Sequence, residues 1–391
     1  MGTGRETYRV HFPPCAGRTH QTLSHRTGQT PQPNPHHTGW TPRGSSPHAL
    51  GPHPADASSS PLHPGYVPRS PRPLPAALPW RVFSRSEALA NGVSQDRLRR
   101  ADLYQMRRGL YARRGRAVTE LDVVTAMCRN TPEAVVVGLS AARLLGMPLP
   151  LQDATWHSGR QAHLAVPGVN RSSDRVVRWH MFTFRPEEVG RVIGKHRASS
   201  GEPAIPDSAF RMSTRARTWR DLAPHLTHLQ LVSIGDHLVR RPRPTIEQGR
   251  QNPWCTLDEL GSVCTGRYAT KLRTALADVR VGSDSPRETM LRLAFRDAGL
   301  PEPLINEPLY GPRGEELHRP DFQWPDYRLC AEYEGKGHND GEQVQRDIRR
   351  ARRARSAGFH EIRLSNDDVQ TSSAKAVQIV RSELLAHGWR P

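Results

Sequence analysis

The stretch RPDFQWPDYRLCAEYEG, residues 319–335, constrains the fold more than any other part of the chain. RPDFQWP and YRLCAEYEG both have the length and aromatic and aliphatic content of strands. In the second, a period of two puts Tyr327, Leu329, Ala331 and Tyr333 on one face. Arg328, Cys330, Glu332 and Glu334 share the other. Like charges two apart on one strand face repel, and burying them unpaired costs several kcal/mol. A cation between them resolves the conflict. With Asp321 from the preceding strand, the acids make an oxygen-ligand site suited to Mg²⁺ or Mn²⁺. Lys336 stands two residues further on, where it can hold a water or offset charge on a phosphate.

The flanking text from 256 to 391 reads as a compact α/β unit. Two helices, TLDELGSVCTG and YATKLRTALADV, precede SDSPRETMLRLAFRDAGLP. In that third helix Ser285 fits the N-cap, Pro286 the first position and Glu288 the third, and Gly299 ends it. Strand text INEPLYG follows, then the two acidic strands, the basic helix RDIRRARRARSAG, the strand HEIRLS and a closing helix. Glu288 has two readings on these residues, a capping acid for Ser285 and a third carboxylate for the site. Asp347 and Arg350 read as a helix salt bridge or as part of the site. His338 reads as a loop donor or as a residue near a scissile phosphate. Arg349, Arg350 and Arg353 fit a phosphate track along the basic helix.

These ordered motifs resemble the PD-(D/E)XK nuclease superfamily, and more closely the very-short-patch-repair-endonuclease-like proteins of actinobacteria. The matching text is Pro286-Arg287-Glu288, Arg319-Pro320-Asp321-Phe322, Glu332-Tyr333-Glu334-Gly335 with His338, and Asp347 with Arg350 before Ala357-Gly358-Phe359, over about 284–370. The resemblance implies a restriction-endonuclease-like core with Asp321 and Glu332 as metal ligands and Glu288 assisting. It departs from the superfamily pattern at Glu334, where lysine is usual. The register Glu334-Gly335-Lys336 would restore an E-x-K triplet. Glu332 is preferred as the ligand, with Glu334 and Lys336 as adjoining polar groups.

Upstream, the composition changes twice. Residues 1–78 are rich in Pro, Gly, His, Ser and Thr and poor in aliphatics, so they are expected to be disordered. Residues 79–150 begin with WRVFSRSEALANGVSQDRLRRADLYQMRRGLYARRG. Ser84 with Glu87 makes a capping box, Asn91-Gly92 ends the first helix, and Ser94 caps a second. A two-stranded wing follows. Arg97, Arg99, Arg100, Arg107, Arg108 and Arg113 are the expected phosphate contacts. This text resembles the winged-helix domain of AbiEi-type antitoxins. Residues 151–250 read as an α+β segment with no assigned chemistry, in which Thr218 is expected to cap a helix that buries Leu222 and Leu226.

The expected class is therefore multidomain: an N-terminal α/β winged helix, a middle α+β segment and a C-terminal α/β restriction-endonuclease-like core. A net charge of +18 over 391 residues points to a polyanionic partner, here DNA. The sequence has no run of about 18 apolar residues and no apolar leader, so neither a membrane partner nor export is expected. Five scattered cysteines without a CxxC pair fit a reducing cytoplasm. The leading expectation is a Mg²⁺- or Mn²⁺-dependent DNA endonuclease, and cutting both strands would call for a homodimer. The other class left open is a non-catalytic DNA-binding regulator of antitoxin type with a degenerate nuclease fold.

Overall fold

The computed structural model describes residues 7–11, 21–24, 71–195, 208–243, 247, 250–334, 352–370 and 373–391. The fold is mixed α/β, with four sheets among the described residues. Among the described residues no helix is long and apolar enough to cross a membrane.

The N-terminal module forms much as its caps dictate. Ser84 Oγ accepts from Glu87 N at 3.0 Å, and Glu87 Oε2 accepts from Ser84 N at 2.7 Å, starting helix Arg85–Ala90. Ser94 caps the single turn Gln95–Leu98. Strands Leu103–Arg107 and Leu110–Arg113 form an antiparallel hairpin, with Val82–Ser84 on the outer side of the second. Gly109 adopts φ +78 at the tip, a conformation that costs a residue with a Cβ. Leu78, Phe83, Ala88, Val93, Leu98 and Leu103 make a small core.

One sheet and one core continue across the expected boundaries at 150 and 250. Strand Val135–Val136 sits inside a seven-stranded sheet, parallel to Ser208–Ser213 and antiparallel to Ala162–Ala165. Strands Thr7–His11 and Gln21–Ser24, in the block expected to be disordered, extend that sheet from the edge of Val189–Lys195. One core runs from Val82 and Met106 through Leu164, Trp219 and Leu238 to Leu260, Leu272 and Val279. The helices Leu257–Ser262 and Ala269–Asp278, expected in the C-terminal unit, thus pack on the middle one. A two-residue strand shows no periodicity, and an amphipathic helix does not name the core it faces. Thr218 is also reassigned. Thr214 caps helix Arg215–Asp221, while Thr218 is buried inside it against Ser213; Leu222 and Leu226 are buried as expected.

In the C-terminal unit the strands run in the order Leu304–Ile305, Phe322–Trp324, Leu329–Glu334 and His360–Ser365. The first three are antiparallel, and the last is parallel to its neighbour. Residues 352–356 are helical within the crossover that parallel pairing requires. On one sheet face Phe322, Trp324, Leu329, Ala331 and Leu364 meet helices Pro286–Asp297 and Ala374–Ala386. Phe295 meets Phe322 edge-on at 5.4 Å and Trp324 at 5.7 Å. Burying a ring of that size contributes about 1.5–3 kcal/mol. The strand starts at Leu329, because Pro325–Tyr327 form a 3-10 turn and Arg328 is left-handed at φ +49.

Helix Pro286–Asp297 serves both cores. Leu293 belongs to the larger one, while Leu291 and Phe295 belong to the C-terminal one. Between them Arg292 Nη2 donates to Asp236 Oδ2 at 3.0 Å, with both side chains almost fully buried. Thr289 Oγ1 donates to the same oxygen at 2.8 Å, and Arg280 N donates to Oδ1 at 2.7 Å. Removing one partner of a buried pair leaves an uncompensated charge, at a cost of about 3–5 kcal/mol. Arg292→Met should therefore shift urea unfolding of the full chain to a clearly lower midpoint. An unchanged midpoint would contradict this account of how the two cores are joined.

Candidate metal and nucleic-acid site

Three elements bring three carboxylates to one cleft of about 590 Å³. Asp321 comes from the start of strand Phe322–Trp324, Glu332 from Leu329–Glu334 and Glu288 from the first turn of helix Pro286–Asp297. The antiparallel register pairs Phe322 with Ala331, and both side chains enter the core. One residue outward, Asp321 and Glu332 are therefore opposite each other on the other face. Tyr333 N donates to Asp321 Oδ2 at 2.8 Å. Glu288 Oε2 accepts from Asp284 N at 2.8 Å and from Asn306 Nδ2 at 2.7 Å. It reaches back past Ser285 N, so it is not the reciprocal capping acid of Ser285. His318 Nε2 lies 2.7 Å from Glu332 Oε1 and 3.6 Å from Glu361 Oε2.

The electrostatics follow from this crowding. Burial first, then the charges of Glu332 and Glu288, push the Asp321 carboxyl up to about 8. Burial also raises Glu288, against the hydrogen bonds from Asp284, Ser285 and Asn306. Glu361 is raised by burial, partly opposed by Arg363. A divalent cation would relieve this repulsion, and the donors are hard oxygens, so the residues fit Mg²⁺ or Mn²⁺. Among the described residues no three His, Cys, Asp or Glu side chains form a metal cage. The fit is to an open site, in which one or two carboxylates bind and waters complete the shell.

Arg243, Arg319 and Arg353 also line the cleft. Arg319 is held by Glu316 at 3.1 Å, and Arg353 is exposed. Glu334, expected among the catalytic residues, does not line the cleft. It sits at the exposed end of its strand, 2.6 Å from Arg363. Lys336, His338, Asp347, Arg349 and Arg350 lie outside the described residues. His318, Asn306 and Arg243 were not singled out in the sequence. His318 is three residues before Asp321 but arrives on the separate hairpin of Leu309–Tyr310 and Glu316–His318.

The N-terminal arginines divide into two groups. Arg97 is clamped by Asp102 at 2.6 Å, Arg107 by Asp174 at 2.7 Å, and Arg113 donates to the carbonyls of Leu78 and Trp80. These three have intramolecular partners within or beside the module. Arg100 and Arg108 are exposed. Arg99 is exposed too, although it touches Asp96 at 3.0 Å. Sequence does not distinguish a paired arginine from a solvated one when its acid is 67 residues away, as Asp174 is from Arg107.

Two uncharacterized proteins of Mycobacterium tuberculosis, from strains CDC 1551 / Oshkosh and ATCC 25618 / H37Rv, are each 31% identical to this chain over 153 residues. The match covers 37% of this chain and 55% of each relative, so the chain spans about half the length of these curated relatives. No family model matches the chain, and no solved structure matches it.

The raised Asp321 carboxyl has a consequence for stability. An unfolded Asp titrates near 3.9. Between that value and about 8 the native state binds more protons than the unfolded one, so metal-free stability falls as pH rises across this window. Asp321→Asn removes the effect. In EDTA at pH 8 the variant should melt above the unsubstituted protein, by about 2–4 °C per kcal/mol of relieved repulsion. The gap should close toward pH 4. Equal melting temperatures at both pH values would contradict the crowding described here.

Proposed function

We propose that this chain is a metal-dependent DNA endonuclease whose C-terminal unit is a restriction-endonuclease-like core. The observation that carries the proposal is the convergence of Asp321, Glu332 and Glu288, from two strands and a helix, on one arginine-lined cleft. In this reading Asp321 and Glu332 bind the ion, and Glu288 assists from the helix. When bound, Mg²⁺ or Mn²⁺ supplies Lewis-acid stabilisation of the phosphate and lowers the pKa of water.

The chain's own residues do the rest. Tyr333 N fixes one oxygen of Asp321 and leaves the other to face the cleft. His318 Nε2 stands 2.7 Å from Glu332 Oε1 on the hairpin side. Arg353, exposed at the rim, offers a guanidinium to a phosphate oxygen. The winged-helix-like module adds affinity through Arg99, Arg100 and Arg108, with no base reading assigned. The +18 net charge supports a polyanionic substrate.

Supercoiled plasmid tests this directly. With Mg²⁺ or Mn²⁺ the protein should nick it, EDTA should stop the reaction, and Asp321→Asn and Glu332→Gln should lower the rate at least about 100-fold, since either loss removes a ligand needed for charge stabilisation. Salt-sensitive binding without cleavage in any metal, unaffected by both substitutions, would overturn the nuclease reading. That result would favour the non-catalytic DNA-binding regulator, which Glu334 in the usual lysine position already suits.

A further inference from the structure

Asn306 occupies an unusual place. It is almost fully buried, yet it adopts a left-handed backbone at φ +52. Asparagine tolerates that region better than other side-chain-bearing residues, but the conformation still carries a cost. Each polar group is used. The backbone N donates to Asp321 O at 3.1 Å. Nδ2 donates to Gly282 O at 2.9 Å and to Glu288 Oε2 at 2.7 Å. Oδ1 accepts from Arg243 Nη2, and Arg243 also pairs with Asp284.

Arg243 follows helix His228–Val239, whose Leu231, Ile234 and Leu238 belong to the larger core. The site carboxylates belong to elements of the C-terminal core. The amide therefore connects a guanidinium from one unit to a carboxylate of the other. With Arg243 on its oxygen, the Asn306 amide presents its NH₂ to Glu288 and not its carbonyl. Alongside the bonds from Asp284 N to Glu288 and from Asn306 Nδ2 to Gly282 O, Arg243 thus adds a hold on Glu288 from outside the C-terminal unit.

Resting on the nuclease reading above, we infer that Asn306 and Arg243 are positioning residues for Glu288, and that they make divalent-ion binding at the site depend on the middle unit. Neither residue needs to touch the ion. Such outer contacts typically change metal affinity by about 10–100-fold.

Calorimetric titration of Mn²⁺ into the full chain tests the inference without relying on cleavage. Asn306→Gly keeps the left-handed backbone and deletes the amide. Arg243→Ala leaves that backbone untouched and carries the same test should the glycine variant fail to fold. Both should weaken Mn²⁺ binding, the first by about 10–100-fold. Arg243→Lys, which can still donate to Asn306 Oδ1, should recover most of the affinity lost in Arg243→Ala. Recovery by lysine separates a donor role from simple packing. If the unsubstituted chain binds Mn²⁺ and both variants bind it equally well, the inference is overturned while the nuclease reading stands. If the unsubstituted chain takes up no Mn²⁺, the reading fails and the inference with it.

Discussion

Across an antiparallel pair, directly opposed side chains are only about 4.5–5.5 Å apart at Cβ. Asp321 and Glu332 follow on from such a register, and Glu288 adds a third carboxyl group from the first turn of helix Pro286–Asp297. In water this repulsion would be screened. In a cleft where Asp321 is mostly buried it is not, and the proton stays on Asp321 to about pH 8. A packed sheet has no structural use for such an arrangement, because any apolar or neutral residue would stabilise it more. Under the proposed function, the arrangement trades local stability for ion binding.

The rest of the C-terminal unit keeps those side chains from moving apart. Leu329 and Ala331 enter the aromatic core while Cys330 packs against Leu309 and Ala354 on the opposite face. Alternation then leaves Glu332 facing the cleft. A shift by one residue would put Glu332 into the core, so burial on both faces fixes the register. Helix Pro286–Asp297 is fixed as firmly. Its Arg292 is held by Asp236 of the larger unit, one turn beyond Glu288. The two cores therefore share the element that carries the third carboxylate. The middle segment, for which the sequence suggested no chemistry, supports the site through Asp236 and Arg243.

Much of this was legible from local rules. The caps at Ser84, Ser94 and Ser285 formed where short-range spacing put them, because capping involves residues three apart. The two faces of Leu329–Glu334 followed from a period of two, which places Glu332 on the cleft side of the strand. Long-range partners were not legible. Arg107 meets Asp174, Arg292 meets Asp236, and Asn306 meets Arg243; nothing near either member of these pairs points to the other. The packing of Leu260 and Leu272 in the larger core was illegible for the same reason, since they are as apolar as any helix core residue. Asn306 lay within text that reads as strand, and its left-handed backbone is visible only in three dimensions.

The account depends on Asp321, Glu332 and Glu288 turning free oxygens toward one shared point. A crystal of the full chain grown or soaked with Mn²⁺, with diffraction data collected at the manganese absorption edge, tests this most directly. The account predicts an anomalous peak within about 2.0–2.3 Å of oxygens from Asp321 and Glu332, inside the cleft and below Arg353. No peak in the cleft at saturating Mn²⁺, or one bound only by residues elsewhere, would contradict it.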